Sequence, residues 1–198
     1  MQTALPVRLR TYENLFGLTH LRGGRIVLAL SATALMAICA HVSVPLFFTP
    51  VPLTLQTFAV LLTGFLLGPT LGFSAMLLYL AEGAAGLPVF SPAGPGGTAQ
   101  LLGVTGGYLM SYPFAAALAG FLVRAFGSRR SRFGAGLIAG AAATLVTLLI
   151  GGLWIATISH ANWQTSATLA VAPFLPGEVI KIIAAAGAFS SLRRFTRS

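Results

Sequence analysis

The chain has 198 residues, 56% hydrophobic and only 8% charged, with a mean hydropathy of +0.88. A soluble domain usually carries about 25% charged residues, so this composition cannot cover a water-facing surface and describes an integral membrane protein. The formal net charge is +9, yet the eleven arginines fall in three clusters outside the apolar runs or, for Arg124, at the end of one. That distribution argues against nucleic acid as a partner and fits the excess of basic residues on cytoplasmic loops.

Residues 1–25 form a polar tail with Arg8, Arg10, Arg22 and Arg25 against one acid, Glu13. The first apolar run, 26–48, is long enough to span about 30 Å of hydrocarbon. It is too long for the core of a signal peptide, and no small-residue cleavage site follows it. Within it, Ala29, Thr33 and Ala37 recur every four positions. That spacing puts them on one face, where another helix can approach closely, either this chain's own or a partner's. Cys39 lies mid-run and is read as packing; no disulfide framework or zinc spacing is present, and no metal or cofactor is expected.

Pro45, Pro50 and Pro52 mark an uncharged loop. The second run, 53–67, carries Gln56 and Thr57 near its start. The third, 71–87, carries Glu82 near its end, and Gly68-Pro69-Thr70 turns between the two. Each is short for a span, roughly 23–26 Å by helical rise, so the two either cross with little tilt or form a re-entrant pair. Residues 88–104 are rich in Gly and Pro and carry no charge. Gly94, Gly96 and Gly97 suggest a phosphate-cradling loop, but the lysine and following Ser/Thr that such a loop needs are absent.

The fourth run, 105–126, opens with TGGY and is expected to kink at Pro113. Arg124, Arg129, Arg130 and Arg132 form the second basic cluster. The fifth run, 133–158, is rich in Gly and Ala. Residues 159–172 are polar and uncharged, and Trp154 and Trp163 suit an interfacial aromatic belt. The last run, 179–192, precedes Arg193, Arg194 and Arg197. The expected fold is therefore an all-α integral membrane protein: a six-helix membrane domain over 26–192 between a cytoplasmic tail (1–25) and a basic cytoplasmic end (193–198). No internal repeat is evident, which counts against an inverted-repeat transporter.

The chain has three acids and one lysine, and PFLPGEVIK (173–181) holds one of the acids, Glu178, and the lysine, Lys181. Three residues apart, they share a helix face, and Pro176 suits a first helical turn. An ionisable residue in a membrane segment costs roughly 2.5–3.5 kcal/mol on insertion scales, so it points to function by default; the plain alternative is a pair that neutralises itself or a lysine that snorkels. The topology gathers Gln56, Glu82, Gln100, Tyr108, Glu178 and Lys181 at the outer end, with Phe47, Phe48, Phe90 and Phe174. Apolar walls with a few placed polar groups make a small-molecule pocket. A competing reading, an intramembrane serine hydrolase, takes Ser74 in GFS with His41 or His160 as base. Ser74 is expected near the cytoplasmic end and both histidines near the outer one, which forbids the hydrogen bond such a pair needs.

Four stretches carry a further signal: VPLTLQTFAVLLTGFLLG (51–68), LYLAEGAAGLPVFS (78–91), LLGVTGGYL (101–109) and PFLPGEVIK (173–181). Together they resemble BioY, the biotin-specific substrate-binding subunit (S component) of energy-coupling factor vitamin transporters. The resemblance covers essentially the whole membrane domain. Val104 stands where the family pattern has proline, and Glu178 where it has aspartate. It implies high-affinity biotin capture from outside by a multi-pass protein of the cell (plasma) membrane that has no enzymatic activity of its own. Transport would be powered by a membrane T component and a pair of ATPases, with Ala29, Thr33 and Ala37 as the docking stripe. The implied substrate-binding residues are Glu178, Lys181, Gln56, Glu82, Phe90, Ser91, Gln100 and Tyr108. An S component for another small vitamin is the nearest alternative.

Overall fold

The computed structural model describes residues 22–45, 47, 49, 51–127 and 131–192. The tail before them, Phe48, Pro50, Arg129, Arg130 and the last basic cluster lie outside the described residues. Helix α1 (Arg22–His41) covers most of the first apolar run. A two-residue ribbon follows, β1 (Ser43–Val44) antiparallel to β2 (Leu53–Thr54), with Ser43 opposite Thr54. This ribbon departs from the all-helical expectation. It forms just outside the segment holding Pro45, Pro50 and Pro52, where the residues again have backbone donors to pair.

Helix α2 (Gln56–Ala84) breaks at Gly68, whose φ of 81° and ψ of −176° leave the helical region. That conformation is open to glycine and strained for other residues, and Pro69 supplies no N–H that would need a partner. The break folds the helix back on itself. Gln56 Nε2 lies 2.9 Å from Tyr79 Oη, whereas an unbroken helix would separate these residues by about 35 Å. A Cβ on Gly72 would sit 3.4 Å from Gly64 Cα. The second and third apolar runs are thus two antiparallel arms of one hairpin.

Helix α3 (Gly97–Leu102) lies in the Gly/Pro-rich segment. Helix α4 (Gly106–Phe126) runs on through Pro113, and α5 (Arg132–Ile158) starts at Ser131, whose hydroxyl accepts from Gly134 N. Helix α6 (Trp163–Ala170) occupies the polar stretch expected to be loop. Asn162 caps it, accepting from Thr165 N at 2.8 Å, which supplies one of the bonds a helix start otherwise lacks. A single 3₁₀ turn, Ala172–Phe174, leads into α7 (Leu175–Ser191). Among the described residues, five stretches are long and apolar enough to cross a membrane: Gly23–His41, Gln56–Ala84, Gly106–Phe126, Arg132–Ile158 and Trp163–Ser191.

Small residues let these helices meet backbone to backbone, the usual way helices pack where lipid is as apolar as leucine. A Cβ on Gly120 would come within 2.6 Å of Gly68 C and 2.7 Å of Gly64 O, so α4 lies directly on the hairpin. A Cβ on Gly136 would meet Ala186 Cβ at 2.9 Å, joining α5 to α7. The described arginines then mark one end. Arg124 Nη2 donates to Leu67 O at 3.3 Å, beside the hairpin turn. The Phe65 and Phe189 ring centroids are 5.4 Å apart, and the Arg132 guanidinium sits 5.1 Å from the Phe189 centroid, within cation–π reach. The opposite end gathers Gln56, Tyr79, Val89 and the entry to α7.

Candidate functional site

Helix α7 opens as its sequence implies. Pro176 falls in the first turn, where its missing N–H costs nothing. Glu178 and Lys181 follow on one face, 5% and 6% exposed, with Lys181 Nζ 2.6 Å from Glu178 Oε1. The same oxygen accepts from Thr57 Oγ1 at 3.1 Å, so the first arm of the hairpin clamps the pair from the side. The second oxygen, Oε2, is buried and has no hydrogen-bond partner among the described residues. A buried unpaired acceptor costs about 1–3 kcal/mol, and more on a charged group. The pair is therefore half-satisfied, with one acceptor unmet among the described residues.

Beside it lies a small cavity of ≈ 40 Å³, far below the roughly 300–1,000 Å³ of small-molecule sites. Gln56, Ser91, Gln100 and Tyr108 line it, joined by Thr54, Thr105 and Tyr112. Glu178 and Lys181 are not in its wall.

Several of these groups are engaged within the chain. Gln100 Nε2 donates to Ser91 O at 3.3 Å, and its Oε1 accepts from Gly96 N at 3.1 Å. The carboxamide thereby ties the 91–96 loop down. A Cβ on Gly94 would collide with it at 2.7 Å. The Tyr108 hydroxyl donates to Ala170 O, and its ring packs 6.3 Å from that of Phe174. The Ser91 hydroxyl accepts from Ala93 N at 3.4 Å. Phe90 is buried, edge-on to Tyr79 with centroids 5.3 Å apart, and stands behind the cavity wall.

Glu82 and the α1 stripe come together instead of joining this group. Thr33 Oγ1 lies 3.1 Å from Glu82 Oε1, and Thr33 is buried with Ala29, while Ala37 is half-buried. Spacing alone finds such a face but not what covers it, and Thr33 faces α2. Ser74 donates to Thr70 O at 3.0 Å and is exposed near the hairpin turn. His41 is at the far end of α1, beside the ribbon.

Sequence reasoning placed none of Thr57, Tyr79, Thr105 and Tyr112 in the site. Thr57 directly follows Gln56 in the second run, and its hydroxyl is the donor Glu178 would need. Tyr79 Oη accepts from Gln56 and donates to Val89 O, both at 2.9 Å, but inside an apolar run it reads as one more core aromatic. Thr57→Val keeps the shape and removes the donor to Glu178. We expect a loss of about 1.5–3 kcal/mol, the range for a hydrogen bond to a charged group, measured as the shift in denaturation midpoint of the purified protein. An unchanged midpoint would remove Thr57 from the clamp.

Comparison with known proteins places the chain. The model of the BioY family matches residues 13–198. "Probable biotin transporter BioY" of Pyrococcus horikoshii is 39% identical over 148 residues, 75% of this chain and 83% of the relative. "Biotin transporter BioY" of Thermotoga maritima is 34% identical over 154 residues, 78% and 86% of the two chains. The crystal structure of the S-component for biotin from an ECF-type ABC transporter superposes with a TM-score of 0.77 at 27% identity, covering 96% of this chain and 95% of that one.

Proposed function

The chain belongs to the BioY family, and from that membership we propose that it captures biotin for an energy-coupling factor uptake system. The observation that carries the reading is the buried Glu178–Lys181 pair with one carboxylate oxygen left open. Biotin's ureido ring has two N–H donors and one carbonyl. Glu178 Oε2 accepts from the ring nitrogens, and Lys181 donates to the carbonyl. Such charge-assisted bonds are roughly twice as strong as neutral ones. Gln56, Ser91, Gln100 and Tyr108 face the ligand from the cavity wall, while Phe90 backs that wall and Glu82 holds α1 against it. Titrating biotin into the purified protein tests this: saturable binding without turnover is expected, and the absence of binding would refute it.

In this reading the membrane domain crosses six times, each hairpin arm counting once, with both termini cytoplasmic and the site opening outward. The arginine-bearing end and the uncharged end of the bundle support it through the positive-inside rule. Cysteines placed at Ala93 and Ala161 in a Cys39→Ala background are expected to react with an impermeant thiol reagent on intact cells. One at Gly127 is expected to stay unlabelled. The reverse pattern overturns the orientation.

The energy for uptake comes from a membrane T component and its ATPase pair, met through α1. Ala29 and Thr33 lie against this chain and Ala37 stands half-buried at the edge of the same stripe, so Ala37 is the position that tests docking. Ala37→Leu is expected to lower cellular biotin uptake while the purified variant binds biotin with parental affinity. Parallel loss of both assigns the stripe to internal packing alone.

A further inference from the structure

Tyr79 is fully buried, and its hydroxyl has one proton and two lone pairs to give. On one side, 2.9 Å away, is the Val89 carbonyl. A carbonyl only accepts, so the proton goes there. Toward Gln56, also at 2.9 Å, Tyr79 then offers nothing but a lone pair. Gln56 must answer with Nε2. A second contact agrees with this orientation: Thr54 Oγ1 accepts from Gln56 N at 3.4 Å and donates to Gln56 Oε1 at 3.0 Å.

Both ends of the carboxamide are thereby fixed. Nε2 carries two N–H bonds. Tyr79 takes one. The other has no partner among the described residues, and Gln56 is 5% exposed in the cavity wall. A buried donor left unpaired is unfavourable, and the cavity is the place where a partner can arrive.

We propose that Tyr79 is a positioning residue: its hydroxyl locks the Gln56 carboxamide so that the cavity presents an N–H donor, and that donor meets an acceptor oxygen of the captured ligand. This rests on the reading of the cavity as the biotin site. The same hydroxyl bonds the Val89 carbonyl, so one group sets both the donor and the position of the loop that leads to Ser91. Tyr79→Phe keeps the ring and its edge contact with Phe90 but frees the carboxamide to turn.

The test is a set of biotin titrations, with thermal denaturation alongside, on the purified parent, Tyr79→Phe, Gln56→Leu, the double variant and Gln56→Glu. Loss of one hydrogen bond of this kind weakens binding about tenfold, so each single change is expected to raise Kd by that factor. The double variant is expected to fall about tenfold, not a hundredfold, because Tyr79 acts through Gln56. Gln56→Glu, which offers only acceptors when ionised, is expected to lose at least as much as Gln56→Leu. Parental affinity in Tyr79→Phe, additive losses in the double variant, or parental affinity in Gln56→Glu would each overturn the proposal. A change in denaturation midpoint alone, with affinity intact, would make Tyr79 merely structural. If the parent binds no biotin, the reading of the site fails first. If the parent binds and Lys181→Ala does not, while Tyr79→Phe binds normally, only this inference fails.

Discussion

Lys181→Ala is expected to weaken biotin binding roughly 30-fold or more. Truncating one partner of a buried charged pair costs about 2–5 kcal/mol, and each 1.4 kcal/mol is tenfold in affinity. The variant removes the donor to the ureido carbonyl. It also leaves Glu178 with Thr57 as its only donor among the described residues, in a place 5% exposed. Glu178→Gln keeps the shape and one acceptor, so its loss is expected to be smaller but clear. Glu178→Asp is expected to be the mildest change, since aspartate is the residue the family pattern has at this position. The ordering carries more than any single value. Were the pair purely structural, folded yield would drop while the protein that does fold bound biotin normally. Parental affinity in all three variants would take the ureido contact away from this pair.

The second large effect is expected at Gly120. Its missing side chain lets α4 touch the backbone of the hairpin turn, with Gly68 C, Gly64 O and Pro69 N all within 2.7 Å of where a Cβ would stand. Backbone atoms cannot step aside as a flexible side chain does. Gly120→Leu is expected to destabilise the protein by about 1–3 kcal/mol or more, the range for overpacking a close-packed interior, read as a lower denaturation midpoint in detergent. Gly187→Leu is the control. Nothing lies within 4 Å of a Cβ there, and the midpoint is expected to stay near the parent's. Equal midpoints for the two variants would mean that the arms and α4 do not meet as described.

The pairing of Glu178 with Lys181 was legible from spacing, because i and i+3 on a helix share a face whatever else the chain does. The apolar runs were legible too, with ends set by Pro, Gly and charge. What stayed hidden was contact between distant segments. Thr57 and Glu178 are separated by 121 residues, and no local pattern announces their meeting. The stripe of Ala29, Thr33 and Ala37 shows the converse, since periodicity identified a packing face while the identity of the facing helix came only with the fold. Helix α6 was within reach of the sequence. Asn162 is a favoured N-cap residue type, but the polarity of the segment outweighed that signal. The ribbon after α1 was beyond reach, because two residues per strand carry no alternation to read.

The hairpin has a consequence for how the protein enters the bilayer. A helical span usually takes roughly 20 apolar residues, and each arm of Gln56–Ala84 is shorter, so each crosses only with local thinning of the bilayer. The unit that partitions into lipid is the folded pair. Gln56 donates to Tyr79 at 2.9 Å only once the arms have closed, and before that both side chains would enter hydrocarbon without this bond. Closure of the turn at Gly68 and burial of these side chains therefore belong to one step of biogenesis. A lesion at Gly68 would be felt first as failed integration of the nascent chain.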